Sequence, residues 1–416
     1  MNILIVTTYG FDPAFPSRPE QLQARALVRR GHRVVAHEYL DRRYPGQSIR
    51  HEWLDGVPVH RAATLGFFAP EAMLRLLIAD RPDVIHIHHM RSLLAYQTVQ
   101  IARRLGVPTV LTPHGLLHDG DLVVDRERPL DAPLRFDNLL LTPRQLLARL
   151  ARGAHPRRAV RNYCIHAPLL MIDRALALSR HEADLLQRLG VAPEKIRVLP
   201  NAVDLSDFEM PGAERSGEAQ PLQEIKSPHS LDGGASGRPT VLFIGQLVPR
   251  KAYDLLARAM PLVLREVPQA RFVFVSHNRQ GESDLRRLVA EGGAEASFEL
   301  RGRVSEAEKL RLLREAAVVA APSRYEGFGI PLIEAQAAGA ALVTSDVPAC
   351  NELITHEHNG LLSAYNDHED LAAMIVRLLR DRDLARRLGD TGRREVFARY
   401  SADRLAEDLE GIYQIR

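Results

Sequence analysis

The stretch YEGFGIPLIEA, Tyr325 to Ala335, sets two glutamates, Glu326 and Glu334, on either side of Gly327, Phe328, Gly329 and Pro331. Carboxylates can grip hydroxyls, move protons or steady positive charge, and glycines let a ligand come close to the backbone. Pro331 suits the first turn of a helix, where its missing N–H costs nothing. The preceding AVVAAPS reads as a buried strand. The backbone from Gly327 to Ile333, including Phe328, Gly329, Ile330 and Leu332, is therefore predicted to present N–H groups at a helix N-terminus, a geometry that binds phosphate. A carboxylate at Glu334, placed in the first helical turn, would repel a bare phosphate. It fits if it accepts hydrogen bonds from the hydroxyls of a ribose attached to that phosphate. Glu326 then faces the group beyond the pyrophosphate, and the two acids bracket the ends of a nucleotide-sugar.

A second turn supplies counter-charge. VLFIGQLVPRKAYDLL puts Gly245 at a strand end, Gln246 beside it, and Arg250 and Lys251 before the next helix. If the two turns are neighbours, both cations face the anion and stabilise a departing pyrophosphate where its charge forms. Only 4 of the 55 basic residues are lysine, so a lysine in this place carries weight.

These residues need a scaffold. In the first half, NILIV, HRVVAHEY, DVIHIHH, PTVLTPHG and RALALS alternate with helical patterns such as EQLQARALVRRG and RSLLAYQTVQIARRLG. Such alternation means βαβ units and a parallel sheet. Residues 209–238, rich in Pro, Gly, Ser and Glu, read as a flexible linker or loop. The alternation then restarts as a second doubly wound sheet, followed by a helical tail. The expected plan is α/β: two Rossmann-like parallel-sheet domains, 1–208 and 239–394, facing across a cleft, with a helix at 395–416 crossing back to the first. Ligands of open α/β sheets bind at the carboxyl ends of strands.

Composition narrows the class. A chain of 416 residues, 45% apolar and 26% charged with net charge +3, is a globular two-domain composition with no overall bias toward nucleic acid. Cys164 and Cys350 make no disulfide framework, so a cytoplasmic, reducing setting is expected. MNILIVTTYG reads as a strand, not a signal peptide. Asp119/Asp121 and Asp381/Asp383 are Asp-x-Asp pairs, read as loop and helix-surface acids and not as metal ligands. His86, His88 and His89 are read as a histidine-rich strand end, because no carboxylate pattern accompanies them. Residues 141–166 hold six arginines and no acid, with Leu146, Leu147 and Leu150 spaced along one helix face, a candidate for peripheral contact with an anionic membrane.

GFGIPLIEA within the E-x7-E spacing resembles the retaining glycosyltransferases of family four, which have the GT-B fold. ALALSRHEADLLQRLGVAPEKIRVLPNAVDLSDF, NELITHEHNGLL and REVFARYSADRLAEDLEGIY extend the resemblance over nearly the whole chain. It implies that Glu326 contacts the donor sugar, Glu334 the ribose and Lys251 the pyrophosphate. It also implies that His114 lies near the transferred sugar and that Gly302, Arg303 and Val304 line the base pocket. Gln246 stands where the family usually has arginine, Asn201–Ala202 where it has Asn-Gly, and FPSRPEQ, with Ser17 and Arg18, where it has paired glycines. Arg250 or Arg18 is expected to replace the missing charge. Front-face substitution without metal or other cofactor is implied, with a glycan or lipid-linked acceptor, in bacterial cell-surface polysaccharide or glycoconjugate synthesis. A nucleotide-sugar epimerase would act without acceptor. A catalytically impaired binding protein would hold donor without transfer.

Overall fold

The computed structural model describes residues 1–8, 10–39, 49–62, 81–209 and 237–415. The linker expected at 209–238 lies outside them, apart from its ends. The chain forms two compact units: Met1–Val124, Pro133–Ala202 and Ala402–Arg416 in the first, Asp125–Ala132 and Val203–Ser401 in the second.

The first unit is built on strands β1 (Asn2–Thr7), β2 (Arg33–Tyr39), β3 (Ile49–Leu54), β4 (Val57–Ala62), β5 (Val84–His88), β6 (Thr109–Thr112), β7 (Arg174–Ala177) and β8 (Ile196–Val198). Their order is β3-β4-β2-β1-β5-β6-β7-β8. Pairing is parallel except for the antiparallel β3–β4 hairpin. That hairpin turns through Asp55 and Gly56, both at positive φ (52° and 78°), the Asp-Gly signature of a tight primed turn. The sequence reading missed it although the dipeptide was there to be read. The helix Pro19–Arg29 buries Leu22, Ala26 and Leu27 in the same core as Leu405, Ala406, Leu409 and Tyr413 of the helix Ala402–Tyr413. Each such leucine contributes about 1.5–3 kcal/mol.

The second unit has β9 (Thr240–Ile244), β10 (Arg271–Val275), β11 (Phe298–Arg301), β12 (Val318–Ala321), β13 (Leu342–Ser345) and β14 (Leu361–Ser363), all parallel in the order β11-β10-β9-β12-β13-β14. Helix Arg382–Arg399 runs unbroken past position 395, so the chain returns to the first unit at Ala402, later than the sequence reading placed it. At the other boundary, Val203–Phe208 packs with the second unit: Val203 N–H donates to Tyr400 O at 3.0 Å and Arg393 Nη2 to Phe208 O at 2.9 Å. Asp125–Ala132, inside the first unit's sequence, also belongs to the second.

Candidate active site

In the second unit, β9 and β12 are hydrogen-bonded neighbours, Val241 opposite Val318 and Leu242 opposite Val319. The turns leaving their carboxyl ends are therefore side by side. After β9, Gly245 N–H donates to Val275 O (3.0 Å) and Gln246 Nε2 meets His277 Nε2 (3.2 Å). A single 3₁₀ turn, Pro249–Lys251, then leads through Ala252 into the helix Tyr253–Glu266. After β12, the loop reaches the helix Ile330–Ala337, capped by Gly329 at φ 104°. A Cβ at Gly329 would lie 2.9 Å from Leu332 Cδ1, so this turn requires glycine on both counts.

Lys251 Nζ donates to Glu326 Oε1, and Arg250 Nη1 stands 3.8 Å from Glu326 Oε2. Ser323 Oγ donates to the same carboxylate at 2.7 Å. Burial opposes ionisation of Glu326, but Lys251 and then Arg250 outweigh it and hold the carboxyl below its ordinary range. Arg324 locks the two turns together. Its guanidinium donates to both oxygens of Asp254 (2.8 and 2.7 Å), to Pro249 O (2.6 Å) and to Asn366 Oδ1 (2.8 Å), while its own N–H donates to Arg250 O (2.8 Å).

The helix start differs in detail from the sequence reading. Leu332 and Ile333 already donate to Gly329 O (2.9 and 3.4 Å), and Pro331 has no N–H. The amides of Phe328, Gly329 and Ile330 have no partner among the described residues, and these are the donors left for an anion. The Phe328 side chain is buried against Tyr400, ring centroids 6.0 Å apart. Glu334 is the fifth helical residue, just past the first turn in which it was expected. It is paired with Lys309 (2.7 Å), which also meets Glu306 (2.6 Å). Burial works against the Lys309 charge, yet Glu334 and Glu306 raise its pKa above the ordinary lysine range. Each glutamate of the motif thus has its own lysine. The far end of this helix is clamped by Arg393, which donates to Ala337 O. The helix Arg382–Arg399 also comes so close that a Cβ on Gly389 would lie 2.2 Å from Gly339 O.

Gly302 and Arg303 are exposed and Val304 half-buried, in the turn between β11 and the helix Glu306–Glu315 that carries Lys309. A cavity of about 760 Å³ lined by Leu262, Glu266, Ala372, Val376 and Arg380 lies elsewhere on this unit, and none of the residues above lines it.

In the first unit, His114 sits two residues beyond β6 at φ 60°. Its Nε2 lies 2.8 Å from His88 Nδ1 and 3.8 Å from Glu20 Oε1, and Glu20 Oε1 also meets His89 Nε2 at 2.8 Å. Burial, then His89, pushes the His114 pKa well below the ordinary range. The turn carrying His114 is held by the buried Glu182, which accepts from Gly115 N (2.7 Å), Leu116 N (3.2 Å) and Leu178 N (2.8 Å). Ser17 and Arg18 close the turn before the helix Pro19–Arg29, with the Arg18 guanidinium 5.5 Å from the centre of the Phe15 ring. Asp119, expected in a polar loop, is buried and its carboxylate accepts from His166 Nε2 at 2.7 Å.

The arginine-rich segment forms the helices Pro143–Ala151 and Pro156–His166. Leu147 is 67% exposed and Val160 37%, whereas Leu146 and Leu150 are half-buried, so the three leucines do not share one solvent face. Among the described residues no helix is long and apolar enough to cross a membrane.

Sequence reasoning missed Ser323, Arg324, Asp254, Lys309, Glu20 and Glu182. Lys309 had a signal, being one of only four lysines. Ser323 lies only three residues from Glu326, in the same loop, and the rest are joined to their partners by contacts far apart in sequence.

Comparison with known proteins agrees with this architecture. Residues 22–207 match the family described as Glycosyltransferase Family 4, and residues 232–395 the one described as Glycosyl transferases group 1. The chain is 27% identical over 389 residues to a D-inositol 3-phosphate glycosyltransferase of Thermobispora bispora, covering 89% of this chain and 80% of that one. It is 30% identical over 223 residues to a GDP-mannose-dependent monoacylated alpha-(1-6)-phosphatidylinositol monomannoside mannosyltransferase of Corynebacterium glutamicum, covering 52% and 55%. The matches span about half the length of several such relatives. Sucrose-phosphate synthase of Thermosynechococcus elongatus shares the fold, with TM-score 0.72, 21% identity and coverage of 100% and 98%.

Proposed function

Starting from a chain that is glycosyltransferase-family-4-like and GT-B in fold, we propose that it transfers a sugar, with retention, from a nucleotide-sugar to a glycan or lipid-linked acceptor. The observation that supports this most is the adjacency of the β9 and β12 turns, which sets Lys251 and Arg250 against Glu326 beside the amides of Phe328, Gly329 and Ile330. A diphosphate entering there meets two cations and a helix N-terminus.

In this reading the bond from the anomeric carbon to the diphosphate oxygen breaks as the acceptor oxygen adds on the same face. The acceptor's proton passes to the departing phosphate. Lys251, Arg250 and the amides stabilise the charge that develops on the leaving group, so the chemistry needs no metal. Glu326 steadies positive charge at the anomeric carbon and binds sugar hydroxyls. Glu334, held by Lys309, binds the ribose, the turn Gly302–Val304 meets the base beside Gly245 and Gln246, and His114 hydrogen-bonds the transferred sugar. The named relative that acts on a phosphatidylinositol mannoside, together with the basic helices Pro143–Ala151 and Pro156–His166, favours a lipid-linked acceptor over a free one. Peripheral contact at the inner face of a membrane would follow.

Thermal-shift screening of nucleotide-sugars tests the donor, since a ligand that binds the fold stabilises it by mass action. One or more are expected to raise Tm in the parent and not in Lys251→Ala. The anomeric configuration of the product, read by NMR, tests retention, and EDTA is expected to leave transfer unimpaired. Donor converted without acceptor would replace this reading with an epimerase. Flotation with anionic vesicles at low salt tests the membrane contact: absence of binding ends that part alone.

A further inference from the structure

The first unit gathers a set of side chains that the transfer reaction does not require as a group. His88 ends β5, His89 follows it at φ 66°, and His114 follows β6, the strand hydrogen-bonded to β5. Glu20 enters from the first turn of the helix Pro19–Arg29. One ligand-type atom from each of Glu20, His88 and His114 lies within 4.8 Å of the other two. The individual separations are 2.8 Å (His114 Nε2 to His88 Nδ1) and 3.8 Å (His114 Nε2 to Glu20 Oε1), with His89 Nε2 2.8 Å from the same glutamate oxygen. Ligand atoms bound to a tetrahedral zinc at about 2.0–2.2 Å stand roughly 3.3–3.5 Å apart. The observed spacings bracket that value.

We propose that Glu20, His88 and His114 bind one divalent transition-metal cation of the zinc or cobalt kind, with His89 Nε2, 2.8 Å from Glu20 Oε1, orienting the carboxylate. Imidazole nitrogens with one carboxylate select such ions, while magnesium and calcium prefer oxygen ligands. The carboxylate is buried, which keeps it dry beside the rings. The second ring nitrogen of His88, Nε2, has no hydrogen-bond partner among the described residues. Neighbouring His86, 4.1 Å from His88 between ring centroids, is tied to Thr112 (2.8 Å) and Tyr413 (2.7 Å), so the strand end that presents the ligands is held from behind. Both His89 and His114 occupy left-handed backbone positions, a strain that accumulates at functional sites. The ion would occupy the His114 nitrogen and so slow transfer, acting as a reversible brake. That consequence, unlike the binding, rests on the role proposed above for His114.

The test uses the full chain, stripped with EDTA and titrated with Co²⁺. The exposed His51–His60 pair, ring centroids 4.5 Å apart, is an alternative metal binder, so a His51→Ala background serves as control. The expected result is a tetrahedral Co²⁺ absorption band at about one equivalent, retained in His51→Ala and displaced by Zn²⁺. Affinity should fall at least about tenfold, the equivalent of about 1.4 kcal/mol, in His88→Ala and Glu20→Gln. His89→Ala removes a ring that is 43% exposed and leaves the core untouched, so a loss of affinity there excludes misfolding as the cause. A band abolished by His51→Ala alone, or affinities in Glu20→Gln and His89→Ala within about twofold of the parent, overturns the site. Zn²⁺ bound as expected with transfer unchanged upholds the site and removes His114 from the transfer machinery.

Discussion

At the scale of single residues, the two glutamates are distinguished by their partners. Glu326 shares its charge with Lys251 and Arg250, so removing either cation leaves a buried carboxylate short of compensation. Lys251→Ala is expected to lower kcat/KM by about 100-fold or more, since each tenfold corresponds to about 1.36 kcal/mol of lost transition-state stabilisation. Arg250→Ala or Arg18→Ala should show a loss of about tenfold if either replaces the arginine that Gln246 displaces. Changes within about twofold in both, measured by steady-state transfer, would remove that idea. Gly329→Ala forces a side chain into φ 104° and against Leu332. It should cost about 1–3 kcal/mol, seen as a lower Tm, and should misplace the amides of the helix start. The type and spacing of Glu326, Gly329 and Glu334 were legible in the sequence because a loop–helix turn is local. The partnership of Glu334 with Lys309, which comes from another helix, was not.

At the scale of elements, the site is two turns fastened to each other. Arg324 makes a bidentate pair with Asp254 and caps Pro249 O, bridging the loop after β12 to the turn after β9. Both side chains are only partly exposed, 10% and 24%, so the pair is less screened than a surface bridge. A double-mutant cycle with Arg324→Ala and Asp254→Ala is expected to give a coupling energy of about 1–3 kcal/mol in chemical denaturation. The single Arg324→Ala variant should also raise KM for donor as the turns separate. Additive effects would mean that the two turns are held by their strands alone. Periodicity located both turns, since β-branched runs and helical spacing are local signals. The pairing of β9 with β12, which makes the turns neighbours, depends on strand order and cannot be read from either segment.

At the scale of the whole chain, buried histidines set the response to acid. Burial lowers His37 from 6.5 to about 4 and His86 from 6.5 to about 3. Both are neutral in the fold and take up a proton on unfolding below 6.5. Their contribution is therefore present above that value and lost as pH falls toward 4 and then 3. For His37 the full loss is about 3 kcal/mol at 1.36 kcal/mol per pH unit. Urea midpoints should fall steadily across this window, and a flat profile would show that these rings are already protonated in the fold. By itself, the sequence determined the alternation of strands and helices, the glycine-proline turn that opens a helix and the spacing of Glu326 and Glu334 around it, because those follow from neighbours in the chain. Only the tertiary structure decided that Glu20 joins His88 and His114, that Lys309 reaches Glu334, and that Asp125–Ala132 packs with the second unit. Charge pairing and burial act between atoms close in space, and distance along the chain does not encode which distant segments the sheet order will bring together.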